Sequence, residues 1–294
     1  MLPRLTRRRF LALSAAASLC AGGSAAQAAR WTGRAMGAPA VLEVAGLSEA
    51  EARPIFRDVT REIARLERIF SLFEPSSQLV QLNRTGILTA PAPEMVELLE
   101  ICDRLHHWGE GAFDPTIQPL WLALARGEDT REARELTGWD YLERGPDQIR
   151  FRGKGRALTL NGIAQGYATD RIAAMLRERG LRNVMVDMGE IAVLGPEQRL
   201  AGIADPAGQV VARVSLTDRA LATSAPLGTV IAREQGHIVD PRDHAARPRH
   251  RLISVSAPTA VMADGLSTLA CLLPEDAVMR CLSQVEGARL EALV

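Results

Sequence analysis

The spacing of apolar residues along the chain predicts a mixture of helices and short strands. Apolar residues recur at helical intervals, opposite a polar face, over residues 48–70, 93–108, 166–179 and 260–272, the last being the final helix expected. Short aliphatic runs bounded by glycine, proline or charged residues predict strands at 34–44, 157–160, 184–188, 191–194, 200–203, 210–216 and 252–256. The first of these strands is broken near its start by Met36-Gly37. Helices interrupt the strands irregularly, which favours an α+β architecture over a regular βαβ repeat.

Composition adds two limits to this pattern. The chain has 35 basic and 35 acidic residues and a formal net charge of zero, so nothing indicates a nucleic acid or an anionic membrane as partner. With 47% hydrophobic residues and no evident linker, residues 29–294 can bury a large core, in one domain or in two intertwined lobes.

The first 28 residues have the pattern of an export signal. Thr6-Arg7-Arg8-Arg9-Phe10-Leu11 precedes a short apolar stretch that ends in Ala26-Gln27-Ala28. We therefore expect residues 1–28 to be a twin-arginine signal peptide and residues 29–294 to act in a bacterial periplasm. Acylation of Cys20 as a lipoprotein is the weaker alternative, because Leu19 is bulky where such sites have a small residue.

Cysteine usage predicts neither a zinc site nor a disulfide framework. After the signal peptide only Cys102, Cys271 and Cys281 remain, an odd number without C-x-x-C spacing. We interpret Cys271, which continues an apolar run, as a small buried hydrophobic residue.

Asp264 and Thr268 lie four residues apart in an otherwise uncharged stretch. In a helix both oxygen-bearing side chains share one face, an arrangement that suits a hard cation such as magnesium, with Ser267 offering another oxygen. A capping role or a buried hydrogen bond is an equally possible function for this pair, because an apolar run rarely tolerates a carboxylate without some partner.

Three further segments place polar residues among glycines and apolar residues. The first, residues 111–120, contains Phe113-Asp114-Pro115-Thr116, which alone is more typical of an Asp-Pro turn between helices. The second, residues 160–170, ends a strand in a glycine-bearing turn that could approach a phosphate or a metal, or simply start a helix. The third, residues 221–242, contains His237 and Asp240, a possible base and the group that orients it.

In order along the chain, these segments resemble the flavin transferases of the ApbE family, FAD:protein FMN transferases. The resemblance extends from Met36-Gly37 to Thr268. The segments that carry it are Phe70 to Phe73, Ser77 to Asn83, Phe113 to Thr116, Ile163 to Tyr167, Thr223-Ser224, His237 to Pro241 and Ala263 to Thr268.

The resemblance implies a single compact α+β domain of mixed sheets with flanking helices, and a set of site residues. Magnesium would be held by Asp264, Thr268 and the backbone carbonyl of Ala164, with Ser267 as a weaker candidate. His237 would be the catalytic base. The FAD site would be lined by Met36, Phe73, Ala112, Phe113, Asp114, Asn161, Tyr167 and His237.

The implied reaction is the magnesium-dependent transfer of FMN from FAD to a threonine or serine of a periplasmic or membrane-anchored electron-transfer protein, with release of AMP. Two alternatives remain: hydrolysis of FAD to FMN and AMP, and a non-catalytic flavin carrier or assembly factor. The chain departs from the family pattern at four places: Gln165 replaces a common lysine, Glu190 a glycine of a Gly-Gly pair, Ala225 a glycine, and Asp243-His244 a Thr-Gly.

Overall fold

The structure of the protein is a computed structural model that describes residues 28–232 and 235–294. The helices in this part of the chain are α1 (Glu49–Phe70), α2 (Gln78–Thr85), α3 (Pro93–Trp108), α4 (Gln118–Arg126), α5 (Arg131–Glu135), α6 (Ala164–Glu178), α7 (Ala260–Ala270) and α8 (Glu275–Leu282). The strands are β1 (Ala28–Ala35), β2 (Ala38–Ala45), β3 (Ile87–Thr89), β4 (Leu142–Arg144), β5 (Gln148–Phe151), β6 (Val184–Asp187), β7 (Ile191–Leu194), β8 (Arg199–Ala204), β9 (Val210–Leu216), β10 (Arg219–Ser224), β11 (Val230–Ala232), β12 (Gln235–Gly236), β13 (Ile253–Ala257) and β14 (Arg289–Leu293).

A seven-stranded sheet in the order β1-β2-β6-β7-β10-β13-β14 forms the centre of the fold. Each neighbouring pair of strands in it is antiparallel. Smaller sheets are formed by β3-β5-β4, by the hairpin β8-β9 and by β11-β12. Mixed helices and sheets in one body agree with the predicted α+β class.

Both faces of the central sheet are covered, and this explains why its strands are apolar without alternation. Val184 and Val186 of β6 lie in the core on the helical face, whereas Met185 between them packs with the hairpin β8-β9 on the other face. β7 follows the same rule, with Ala192 on the helical face and Val193 on the hairpin face. A strand buried on both sides needs apolar residues at consecutive positions, which is the pattern that the sequence shows.

Helix α1 forms where the apolar periodicity predicts it. Ser48 caps it through a capping box, in which the hydroxyl accepts from the backbone N–H of Glu51 and the Glu51 carboxylate accepts from the Ser48 backbone. Pro54 lies in the helix close to its start, and the buried positions from Phe56 to Phe70 follow the helical repeat. The helix over 93–108 also has its predicted ends, and α6 begins two residues earlier than predicted.

Two local predictions from the sequence need correction, and a third is refined. Residues 157–160 form no strand in the structure, because the backbone N–H and carbonyl of Leu158 are bonded by the side-chain amide of Asn83 (2.7 and 2.8 Å) instead of a neighbouring strand. The predicted break at Met36-Gly37 in the strand 34–44 is the turn of a hairpin between β1 and β2, where Met36 has a positive φ of 50°. The helix at 260–272 is not the last, since α8, a helix of only eight residues, follows it.

The predicted signal peptide lies outside the described residues except for Ala28, which begins β1. Within residues 28–232 and 235–294, no helix has both the length and the apolar character needed to cross a bilayer.

Candidate functional site

A cavity of about 230 Å³ lies at one end of the central sheet. The register of the strands brings the β1–β2 turn, the β6–β7 turn and the end of β10 to that end, because Val41 pairs with Asp187 and Leu221 with Ile191. The segment leading into α6 and the middle of α7 close the cavity from the helical side. The predicted site residues that line it are Met36, Phe73, Ala112, Phe113, Asp114, Asn161, Ala164, His237, Asp264 and Thr268.

Helices α6 and α7 approach each other closely beside the cavity, and glycine makes this possible. A Cβ atom on Gly166 would lie 2.7 Å from the Cβ of Asp264, and one on Gly162 would lie 2.9 Å from Cγ2 of Thr268. Both positions therefore require glycine if α7 is to keep its place. The glycine-bearing turn seen in the sequence serves to bring the backbone against Asp264 and Thr268.

Asp264 is almost fully buried, with 4% of its surface exposed. Its Oδ2 accepts a hydrogen bond from the backbone N–H of Gly166 (2.9 Å), and no residue in the described part of the chain donates to Oδ1. The pKa of Asp264 is raised to about 7, chiefly by burial and to a smaller extent by the charge of Asp170, while the Gly166 hydrogen bond opposes the shift. A buried carboxylate with one free oxygen on a cavity is suited to receive a cation.

Thr268 and Ser267 have different surroundings, although they are neighbours in α7. Thr268 lines the cavity one turn from Asp264, as the spacing predicts. Ser267 is fully buried away from it, where its hydroxyl bonds to the Ser224 hydroxyl (2.8 Å) and to the carbonyl of Asp264 (3.0 Å). The structure therefore does not bring Ser267 to the cavity. Ser224 lines it instead, with its hydroxyl 3.4 Å from Thr268 Oγ1.

Ala164, the first residue of α6, lines the cavity together with Asp264 and Thr268. Across the residues that the structure describes, no group of three or more His, Cys, Asp or Glu side chains is placed to hold a metal ion. Carboxylate, hydroxyl and carbonyl oxygens without nitrogen or sulfur fit a hard cation such as magnesium better than zinc.

His237 follows β12 and is held by backbone groups. Its Nδ1 lies 3.0 Å from the carbonyl oxygen of Pro226, which can only accept, so Nδ1 carries the hydrogen and Nε2 the lone pair. Burial lowers the pKa of His237 and so favours the neutral ring, while hydrogen bonds to the backbone of Pro226 and Thr229 oppose that shift. The indole N–H of Trp121 donates to the His237 carbonyl (2.9 Å) and fixes the backbone from the other side. A neutral imidazole with its hydrogen on Nδ1 can accept a proton at Nε2.

Asp240 does not orient His237, contrary to the interpretation from the sequence. Its carboxylate accepts from the backbone N–H and the guanidinium of Arg242, at 2.9 Å and 2.7 Å. The short spacing makes this local pairing possible, and the Pro226 carbonyl orients the imidazole instead.

Asp114 both caps a turn and lines the cavity. Its Oδ1 accepts from the backbone N–H and the hydroxyl of Thr116 (2.8 and 2.6 Å), at the start of a short 3₁₀ helix over Pro115–Ile117. Burial raises the pKa of Asp114, and the Thr116 bonds oppose that shift. The Asp-Pro turn expected on structural grounds is therefore present, and it also places Phe113 and Ala112 against the cavity.

Tyr167 lies outside the cavity. Its hydroxyl donates to Glu97 (2.5 Å), and its ring packs edge-on against Phe70 at 5.4 Å. It lines a second cavity, of about 660 Å³, on the other side of α6. The first turn of α6 places Gln165 towards the first cavity and Tyr167 away from it, because two positions in a helix diverge by about 200°.

Several polar residues that the sequence did not assign to the site also line this cavity: Gln118, Gln165, Glu190, Thr223, Ser224 and Thr229. Among them Glu190 carries a signal in the sequence, since it is a charged residue between two predicted aliphatic strands. Burial raises its pKa well above the ordinary value, and the charges of Asp264 and Asp187 raise it further. No lysine or arginine is among the described residues of the cavity wall.

Fold and cavity together define an α+β protein with an oxygen-rich ligand site beside a neutral imidazole. The model of the ApbE family matches residues 36–294, so the chain belongs to the ApbE family. The predicted family and fold are both confirmed.

Curated relatives carry the activity that the resemblance implies. A protein of Klebsiella pneumoniae (strain 342) named FAD:protein FMN transferase is 26% identical over 278 residues, which cover 83% of this chain and 79% of its own. The protein of that name from Haemophilus influenzae is 27% identical, over 77% of this chain and 72% of its own.

Solved structures share the fold at low sequence identity. The flavin transferase ApbE from Vibrio cholerae superposes with a TM-score of 0.77 at 21% identity, over 90% of this chain and 94% of its own. The ApbE protein from Thermotoga maritima gives a TM-score of 0.78 at 21% identity, over 91% and 96%.

Proposed function

We propose that this protein transfers FMN from FAD to a threonine or serine hydroxyl of an acceptor protein, with release of AMP, in a magnesium-dependent reaction. One observation carries the proposal. A neutral His237 and the oxygen atoms of Asp264, Thr268 and Ala164 line the same cavity. The names of the curated relatives support the same reaction.

In this scheme His237 moves the proton. The acceptor hydroxyl attacks the FMN phosphorus, the bond to the AMP oxygen breaks, and Nε2 of His237 takes the hydroxyl proton. The Pro226 carbonyl keeps the hydrogen on Nδ1 and so keeps Nε2 available. Phe113, Trp121 and the partly exposed Phe73 supply an aromatic wall of the type that receives a flat ring system such as the flavin.

Asp264, Thr268 and the Ala164 carbonyl would hold the magnesium ion. These residues fit a hard cation, since Asp264 is a buried carboxylate with an unbonded oxygen and Thr268 adds a hydroxyl on the same cavity. When bound, magnesium would neutralise negative charge on the pyrophosphate oxygens. This charge matters here, because the described wall of the cavity offers no lysine or arginine to oppose it.

We further propose that the protein acts in the periplasm after twin-arginine export. The acceptor would then be a periplasmic or membrane-anchored electron-transfer protein. Support comes from the Arg7-Arg8-Arg9 start and the Ala26-Gln27-Ala28 end of the N-terminal segment.

The test is an assay of covalent flavin transfer. Purified protein is mixed with FAD, magnesium chloride and a candidate acceptor, and the acceptor is examined for flavin fluorescence on a denaturing gel and for an FMN mass increment. We expect both signals, and their loss with EDTA or when the acceptor threonine is changed to valine. Release of AMP without any labelled acceptor would instead identify an FAD hydrolase, and FAD binding without turnover a flavin carrier.

A further inference from the structure

The carboxylate of Glu190 lies in the turn between β6 and β7, on the wall of the cavity that Asp264 and Thr268 line. The side chain is buried, with 8% of the residue's surface exposed. The backbone N–H of Thr223 donates to the carboxylate, but Oε2 has no hydrogen-bond partner in the described part of the chain. Buried carboxylate oxygens rarely lack a partner, so this oxygen calls for an explanation.

In the described part of the chain, no residue donates a hydrogen bond to this oxygen or pairs with its charge. The charged groups that act on Glu190 are the carboxylates of Asp264 and Asp187, which repel it. A buried carboxylate that other carboxylates repel is stabilised by a bound cation, because removal of its charge from water is costly without one.

We propose that Glu190 is a further metal-binding residue of this protein, which places a second carboxylate on the divalent cation held by Asp264 and Thr268. The inference rests on the proposed function, because it concerns the same cation. Magnesium in proteins is commonly held by one or two carboxylates together with substrate phosphates and water. With Asp264 alone the ion would depend on the phosphates of FAD, whereas two carboxylates balance its charge before FAD arrives.

The consequence is a difference in the order of binding. The flavin-free protein binds a divalent cation by itself, and FAD then enters a cavity that already holds the metal ion. This property is measurable without any turnover.

The experiment titrates manganese chloride into EDTA-stripped, flavin-free protein in a calorimeter. Wild type is compared with Glu190→Gln, Glu190→Asp, Asp264→Asn and the exposed control Glu197→Gln. We expect the Kd for Mn²⁺ to rise at least about tenfold in Glu190→Gln, because a charged ligand is lost. Glu190→Asp should show a similar rise, since it keeps the charge but draws the oxygens back by about 1.5 Å, the length of one carbon–carbon bond. Glu197→Gln should match the wild type.

The variants separate failure of this inference from failure of the proposed function. Wild-type affinity in Glu190→Gln, with binding lost in Asp264→Asn, overturns the role of Glu190 and leaves the magnesium site standing. Wild-type affinity in Glu190→Asp alone also overturns it, since charge and not ligation would then be the cause. If the wild type binds no Mn²⁺ even with FAD present, the proposed metal dependence itself fails. Circular dichroism confirms folding, which Glu190→Gln should keep because its amide oxygen can still accept from Thr223.

Discussion

The two sides of the cavity are built in different ways. On one side Asp264 and Thr268 belong to a helix that is buried and pressed against the backbone of residues 162–166. On the other, His237 lies outside regular helices and is held by hydrogen bonds to Pro226, Thr229 and Trp121. The side formed by Asp264 and Thr268, the cation side, is thus fixed by close packing. The side formed by His237, the base side, is fixed by a few hydrogen bonds between residues that are distant in sequence. Cation binding by Asp264 and Thr268 should be lost when atoms are added to the packed backbone or when the carboxylate charge is removed. Proton transfer by His237 should be lost when its ring nitrogen is removed.

The largest effect is expected from Asp264→Asn. The asparagine oxygen can still accept from the Gly166 N–H, so the protein should fold, but the charge that attracts the cation is gone. Metal-ion catalysis contributes several kcal/mol and each 1.36 kcal/mol is tenfold in rate, so kcat/KM for flavin transfer should fall about a thousandfold. The transfer assay at rising magnesium concentration measures this. Full activity at saturating magnesium would contradict a catalytic role for the cation side.

The next effect is expected from His237→Gln. Loss of a general base costs about a hundred- to a thousandfold in kcat, while FAD affinity should remain within a few fold, because the cation side is untouched. Single-turnover transfer and equilibrium binding of FAD separate the two quantities. If FAD binding is lost together with kcat, His237 acts in binding and the two sides of the cavity do not divide the work as we infer.

A smaller effect is expected from Gly162→Ala. The new Cβ would lie 2.9 Å from Cγ2 of Thr268, so the threonine must shift by a few tenths of an ångström. We expect about a tenfold loss in magnesium affinity, the size typical of disturbed metal-ligand positions. Gly202→Ala in β8 is the matched control, since its nearest neighbour would be 3.7 Å away. Equal magnesium affinities in the two variants would show that the cation side is less tightly packed than its distances indicate.

The same contrast explains how much the sequence could predict. The pair Asp264 and Thr268 was predictable because helical periodicity is local, and the fold class followed from the apolar pattern. The contacts of His237 were not predictable, since Pro226 and Trp121 lie far from it in sequence and reach it only through the fold. The residue near it in sequence, Asp240, was the wrong partner. The inward or outward direction of a side chain, as for Tyr167 and Ser267, depends on packing that spacing alone does not determine.

The smallest effect concerns Asp170, which caps the helix that carries the cation side. Its two carboxylate oxygens accept from the backbone N–H groups of Ala260 and Val261 (2.7 and 2.8 Å). Burial raises the pKa of Asp170 from 3.8 to about 6, so the folded protein holds a proton that the unfolded chain has released. The stability from this group is complete below pH 4 and is lost as the pH rises through 6.

Asp170→Asn should remove that loss, because the amide remains neutral at every pH. The variant loses one of the two accepted backbone bonds at every pH, because an amide has a single acceptor oxygen. Beyond that constant cost, its free energy of unfolding should rise relative to the wild type by up to about 3 kcal/mol from pH 4 to 7, the energy of a shift of about two pKa units. Urea unfolding in EDTA at a series of pH values measures the difference. A difference that stays constant with pH would show that Asp170 titrates as an ordinary carboxyl and that its burial does not raise its pKa.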